Sequence, residues 1–121
     1  MNFEKLQSIN DTRMNMGELD QASVVRSFKN EACGDDYTVY LAVENDIIRE
    51  ASFTSNGCSF GLAAFALATE WVKGKPTAHA LRITPEDVEA GVDGFPERRQ
   101  HYPQTAARVL RETIEKFRAG K

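Results

Sequence analysis

Two cysteines are the residues of this chain with the greatest capacity for chemistry. Cys33 lies in the segment Ala-Cys-Gly-Asp and Cys58 in the segment Gly-Cys-Ser, so each thiol has a glycine beside it. Glycine adopts backbone conformations closed to other residues, which suits loops that wrap closely around a ligand. A thiolate is both a nucleophile and a metal ligand. The pair therefore indicates a metal site or a site of sulfur chemistry, although free cysteines also commonly serve as small buried hydrophobic residues.

Two other side chains complete a candidate set of ligands. Asp35, two residues after Cys33, offers a hard oxygen ligand or a proton acceptor, although an aspartate after glycine also commonly holds a turn. His101 precedes Pro103 by two residues, which predicts a place at a helix N-terminus, where the helix dipole favours the neutral, metal-binding ring. Together, Cys33, Asp35, Cys58 and His101 are compatible with tetrahedral zinc or with an iron–sulfur cluster of mixed ligation.

Length and charge exclude several other classes of protein. The 121 residues suit a single domain, which we expect to cover 1–121 with a partly flexible segment at 1–20. A net charge of −3, with no basic run longer than Arg98-Arg99, argues against nucleic acid as a partner. The longest run of small or apolar residues, 60–68, is far shorter than the about 20 residues that cross a bilayer. The chain starts without a signal-peptide pattern, so we expect a cytoplasmic location and no membrane partner.

The predicted strands bring the two cysteines towards each other. Alternating apolar residues predict a strand at 37–43, and a second strand at 47–54 follows the polar turn at 44–46. A shorter strand is predicted at 23–28. Cys33 and Cys58 are equidistant from the turn, and equidistant residues of an antiparallel hairpin face each other. We therefore expect the two thiols to meet at the open end of the hairpin.

The predicted helices complete an α+β domain. A short helix is expected at 3–9, a mostly buried one at 59–72, a third that starts at Thr84-Pro85, and an amphipathic one with Pro103 in its first turn. Cys58 immediately precedes the second of these helices. A helix N-terminus favours the thiolate form of a cysteine, which is the form that binds metal or accepts sulfur.

These residues resemble a known family, the iron–sulfur cluster assembly scaffolds that comprise IscU and the N-terminal domain of NifU. The segment Ala-Cys-Gly-Asp resembles the family's first cysteine motif, and Gly-Cys-Ser resembles its second. The run 67–75, Leu-Ala-Thr-Glu-Trp-Val-Lys-Gly-Lys, is similar to the helix end that follows, and Asn15 and Gly17 fit an Asn-x-Gly segment. The likeness extends from about Asn15 to Phe117. It implies a small antiparallel sheet of about three strands with helices packed on one face.

The resemblance also implies a function, that of a scaffold or carrier and not an enzyme. Such proteins receive sulfur from a cysteine desulfurase, bind iron, build a [2Fe–2S] cluster and transfer it to acceptor proteins. Cys33 and Cys58 match two cluster cysteines, Asp35 matches the aspartate that keeps the cluster labile, and His101 matches the histidine of the third motif.

The sequence departs from the family's pattern in two places. Tyr102 follows His101 where the family has a third cysteine. A phenol ligates ferric iron only when it is deprotonated, and in that form Tyr102, as an alternative to Asp35, is a further candidate ligand. Sulfur acceptance would then fall to Cys33 or Cys58, and the predicted helix position favours Cys58. The segment Phe-Pro-Glu-Arg-Arg at 95–99 replaces the Leu-Pro-Pro-Val-Lys of scaffolds served by a dedicated Hsp70-type chaperone, which argues against that partner. Arg99 stands where the family often has lysine.

Two alternative functions follow from the Tyr102 departure. The chain could be a divergent relative that holds zinc, or docks on the desulfurase, without building clusters. It could also be a metal-free relay protein that carries sulfur as a persulfide on one cysteine.

Overall fold

A computed structural model describes residues 1–30 and 34–120, which form an α+β fold around one antiparallel sheet. The strands are β1 (Val24–Asn30), β2 (Asp35–Glu44) and β3 (Ile47–Ser55), in the spatial order β1-β2-β3. The helices are α1 (Phe3–Thr12), α2 (Ser59–Val72), α3 (Thr77–Ala80), α4 (Pro85–Glu89) and α5 (His101–Ala119), with 3₁₀ turns at Ala90–Val92 and Glu97–Arg99. The predicted fold class is confirmed, and the predicted bounds of α2 agree with those observed.

The hairpin of β2 and β3 closes through the predicted turn. Asn45 and Asp46 both have positive φ, 53° and 64°, as a two-residue hairpin loop requires to match the twist of its strands. A β-bulge then interrupts the ladder, because Val43 faces Ile48 but Ala42 faces Glu50. The extra residue on β3 shifts the pairing by one position towards the open end.

The core lies between one face of the sheet and two helices. Val39, Leu41 and Phe53 point towards this face and are fully buried. Helix α2 packs against β3, and α5 packs against both α2 and β1. Helices α2 and α5 therefore form one core with the sheet face that carries Val39, Leu41 and Phe53, as the family resemblance implies.

A segment after α1 attaches to the outer edge of β3. The carbonyl of Asn15 accepts a hydrogen bond from the Phe53 amide, and the Gly17 amide donates to the Phe53 carbonyl, both at 2.9 Å. The backbone of Asn15 has a φ of 60°. Its side-chain amide group donates to the Ala66 carbonyl and to Thr69 Oγ1 of α2. This segment consequently joins the sheet edge to the helix layer.

The other contacts at the sheet edges come from the ends of helices. After α2, Gly74 adopts a φ of 80° and its amide donates to the Ile48 carbonyl of β3 at 2.7 Å. On the opposite edge, Lys116 of α5 donates to the Val25 carbonyl of β1 at 2.8 Å. No helix in the described part of the chain is both long and apolar enough to cross a membrane.

Candidate metal and sulfur site

The thiol of Cys58 lies at the surface where α2 begins. Cys58 is the N-cap residue of α2, with extended backbone angles, and its carbonyl accepts the first helical hydrogen bond from Leu62. An N-cap side chain usually bonds to the backbone of the first turn, but this thiol makes no such bond. It is exposed and instead donates to the hydroxyl of Tyr102, with 3.0 Å between Sγ and Oη. The sulfur is thus directed away from its own helix and towards α5.

Tyr102 is held in place by neighbouring rings. It is the second residue of α5 and half-buried, and its ring lies 6.2 Å from that of Phe60, centroid to centroid, at 19°. The ring of His101 lies on it as well, at 4.0 Å and 37°. The guanidinium of Arg99 lies 4.9 Å from the centroid of the Phe60 ring, a cation–π distance. The thiol therefore borders a cluster of aromatic rings that also contacts one guanidinium group.

A second tyrosine reaches the same place from the sheet. Tyr37 of β2 is 2% exposed, and its ring stacks on Phe65 of α2 with centroids 4.1 Å apart and planes 9° from parallel. Its hydroxyl donates to Oδ2 of the half-buried Asp35 at 3.3 Å. A Cβ on Gly57 would lie 2.7 Å from this hydroxyl, and one on Gly61 would lie closer still. The phenol therefore occupies space that only these two glycines leave free.

Burial and nearby negative groups keep the phenol of Tyr37 protonated. Burial is the largest cause and raises the pKa of Tyr37 above its usual range. The negative charge of Asp35 raises this pKa further, followed by smaller effects of Cys58 and Tyr102. At neutral pH the hydroxyl is consequently a hydrogen-bond donor.

The structure brings several of the predicted site residues to one end of the molecule. Asp35 is the first residue of β2, Cys58 precedes α2, and His101 is the exposed first residue of α5. We call Asp35, Tyr37, Cys58, His101 and Tyr102 the Cys58 site. Within residues 1–30 and 34–120, no three His, Cys, Asp or Glu side chains are grouped to hold a metal ion.

Cys33 lies outside the described residues, so its predicted part in the site stays a prediction. The same holds for the prediction that the two thiols meet. That expectation assumes that opposite residues of the hairpin are equidistant from the turn. The bulge shifts the pairing by one residue, so beyond it Tyr37 faces Ser55 and opposite residues are no longer equidistant.

Sequence reasoning did not find two members of this arrangement. Tyr37 fits the period-two pattern of β2 and reads as a core residue, while Phe60 reads as part of an apolar helix. The signal available in the sequence is a large aromatic residue on a buried strand face together with small residues at 57 and 61. These residues can be related to one another only when the packing of β2 against α2 is known.

Comparisons with known proteins agree with the fold and with the motifs. The family model described as "NifU-like N terminal domain" matches residues 4–121 of this chain. The iron–sulfur cluster assembly scaffold protein IscU 1 of Archaeoglobus fulgidus is 35% identical over 100 residues, which cover 83% of this chain and 65% of that protein. IscU of Aquifex aeolicus is 32% identical over 122 residues, which cover 97% of this chain and 78% of that protein. This chain thus belongs to the NifU-like N-terminal domain family.

Two further comparisons concern zinc dependence and the fold. The zinc-dependent sulfurtransferase SufU of Bacillus subtilis is 33% identical over 62 residues, covering 51% of this chain and 42% of that protein. A solved structure from Fervidobacterium islandicum, described as a candidate iron–sulfur cluster assembly scaffold for the SUF system, superimposes with a TM-score of 0.66. It shares 24% sequence identity and covers 93% of both chains, so it supports the fold alone.

Proposed function

We propose that this chain is a scaffold or carrier for an iron–sulfur cluster. In this function it receives sulfur from a cysteine desulfurase, binds iron and passes the assembled cluster to acceptor proteins. The observation that carries the proposal is the exposed Cys58 thiol, which makes no capping bond and lies beside Tyr102 in a chain of the NifU-like family. The chain spans 65% of the length of the Archaeoglobus relatives, so the activity proposed is that of the described domain.

The ligand set predicted from the sequence contains the groups that each stage needs. Cys33 and Cys58 provide soft sulfur ligands, His101 a nitrogen ligand and Asp35 an oxygen ligand. For sulfur transfer, the Cys58 thiolate attacks the terminal sulfur of the desulfurase persulfide, a new S–S bond forms, and the desulfurase thiolate leaves. The exposure of Cys58 allows a partner to reach the sulfur.

Anaerobic reconstitution tests this proposal. Incubation with ferrous iron, cysteine, a desulfurase and a thiol reductant, which helps to reduce persulfide sulfur to sulfide, should give visible charge-transfer bands together with bound iron and acid-labile sulfide. Cys58→Ser should lose these bands, whereas the matched control Ser59→Ala, at the neighbouring exposed position, should keep them. A colourless wild-type protein that retains no sulfide would exclude the scaffold function.

Zinc binding is the second candidate, favoured by the zinc-dependent relative and by the phenol beside Cys58. Under this hypothesis, anaerobically purified protein contains stoichiometric zinc that iron and sulfide do not displace. Purified protein free of zinc, which binds added zinc only weakly, would contradict it.

The metal-free relay is distinguished by the fate of sulfur. After incubation with desulfurase and cysteine but no metal, mass spectrometry should find a sulfur adduct on Cys58 that is lost on reduction. A relay function requires this adduct without any metal, so a protein that takes up sulfur only with iron present contradicts it.

A further inference from the structure

We propose that Tyr37 is a positioning residue that fixes the carboxylate of Asp35 relative to Cys58. The inference rests on the proposed scaffold function, because Asp35 matters through its effect on a bound cluster. It concerns a residue that the motifs do not include.

The first argument is the path of contacts from the sheet to the helix. The Tyr37 hydroxyl donates to Asp35 Oδ2, while its ring stacks on Phe65 of α2 at 4.1 Å. Asp35 begins β2 and Cys58 precedes α2, so one buried side chain connects the elements that carry these two groups. A shift of β2 against α2 would break the stack, whereas the hydrogen bond, made within β2, fixes the carboxylate relative to the stacked ring.

The second argument is the shape of the space around the phenol. Gly57 and Gly61 lie on either side of Cys58 in sequence, and a Cβ on either would overlap the Tyr37 hydroxyl. Gly57 and Gly61 do not have positive φ, so left-handed backbone does not explain them. The absence of their side chains instead admits the hydroxyl, which is enclosed between Asp35 and the backbone that flanks Cys58.

The consequence concerns the lifetime of a bound cluster. The resemblance implies that Asp35 keeps the cluster labile, and the hydrogen bond from Tyr37 holds its carboxylate in one position. Without the phenol, Asp35 loses its hydrogen-bond donor and can rotate into solvent. The cluster should then persist longer, as it would without the carboxylate.

A double-mutant cycle on the reconstituted protein tests this coupling. Tyr37→Phe keeps the ring on Phe65 and removes only the hydroxyl, and Asp35→Ala removes the carboxylate. We expect Tyr37→Phe to lengthen the decay of the charge-transfer bands under a chelator severalfold, and to add nothing in the Asp35→Ala background. Tyr40→Phe, on the opposite face of the same strand, is the matched control and should decay as wild type does. Unchanged decay in Tyr37→Phe, or effects that add, would overturn the proposal.

A cluster-free measurement separates this proposal from the proposed function. In protein without metal, the ¹³C signal of the Asp35 carboxyl carbon should shift in Tyr37→Phe and not in Tyr40→Phe. An unmoved signal overturns the positioning role even if clusters form. Conversely, a wild-type protein that forms no cluster removes the scaffold function, whereas the signal still reports on the hydrogen bond.

Gly61→Ala distinguishes positioning from simple packing. The added methyl group should displace the hydroxyl and lower the midpoint of thermal unfolding. Combined with Tyr37→Phe, which vacates that space, it should regain most of the lost stability while the cluster keeps the long lifetime of Tyr37→Phe. Recovery of the wild-type lifetime together with the stability would show that Tyr37 acts through packing alone.

Discussion

Tyr102 places a phenol oxygen 3.0 Å from the sulfur of Cys58, at the position where the family resemblance leads us to expect a cysteine. A protonated phenol is a hydrogen-bond partner for sulfur but a poor metal ligand at neutral pH, where a thiolate would ligate a soft metal directly. The side chain at position 102 therefore determines how many sulfur atoms this end of the molecule can offer.

Tyr102→Cys should raise the affinity for zinc, because the new thiol would lie beside Cys58 at a helix start. We expect an increase on the order of tenfold or more, measured under reducing conditions by competition with a chromophoric chelator. Tyr102→Phe, which removes the oxygen without supplying sulfur, is the control and should leave the affinity close to that of wild type. Equal zinc affinities for Tyr102→Cys and Tyr102→Phe would show that position 102 does not reach the metal.

Tyr37 should make the folded protein sensitive to alkali. Its pKa is raised by burial and by Asp35, so above about pH 10 the unfolded chain loses the phenolic proton while the folded chain keeps it. The unfolded state then binds fewer protons, and the free energy of unfolding falls by up to about 1.4 kcal/mol per pH unit as the pH rises past 10. Below that range the phenol is protonated in both states and has no such effect.

Urea unfolding at pH 8 and pH 11 measures this loss. Tyr37→Phe should lose less stability between the two pH values than wild type, whereas Tyr40→Phe, on the half-buried outer face, should behave as wild type. The same loss in Tyr37→Phe as in wild type would mean that another group is responsible.

At the scale of elements, the segment that follows α1 contacts both the sheet and the helix layer through Asn15. Asn15 holds a left-handed backbone conformation, pairs with β3 through its carbonyl and donates to α2 through its amide group, while Lys73 donates to its side-chain oxygen. Alanine would adopt this conformation at a cost and would supply none of the side-chain bonds.

Asn15→Ala should therefore lower the free energy of unfolding by about 2–3 kcal/mol, as measured by urea denaturation. Gln7→Ala, at an exposed position of α1, provides the comparison and should change it by less than about 0.5 kcal/mol. If the two variants unfold at the same urea concentration, the segment does not stabilise the fold.

The elements differ in how far local sequence determines them. The hairpin turn and α2 follow from local signals, namely two polar residues between alternating strands, and an alanine-rich run that ends at Lys-Gly-Lys-Pro. The bulge in β3 leaves no such signal, because it depends on how the whole strand meets Ala42 and Val43. The pairing of Asn15 with Phe53 is equally invisible, since the two residues are distant in sequence and the surrounding stretch is polar.

At the scale of the whole molecule, three elements begin at the Cys58 site. Asp35 opens β2, Cys58 caps α2 and His101 opens α5, so two helix N-termini, each with the partial positive charge of its helix dipole, lie at this end. Such an arrangement favours anionic species such as thiolates and sulfide. The sequence predicted that Cys58 and His101 lie at helix N-termini, because each stands next to a recognisable helix start. They did not predict Tyr37, whose contribution depends on the packing of β2 against α2.

The contacts on the two outer strands have a further consequence for behaviour in concentrated solution. Unpaired strand edges are templates on which another chain can add a strand, which is a route to aggregation. Here the outer side of β3 is occupied by residues 15–17 and by Gly74, and the ammonium group of Lys116 lies on the Val25 carbonyl of β1. To pair with β3, a strand from a second molecule would have to displace residues 15–17 and Gly74. To pair with β1 at Val25, it would have to desolvate the ammonium group of Lys116. These contacts on the outer strands therefore oppose the addition of strands from other molecules to the sheet.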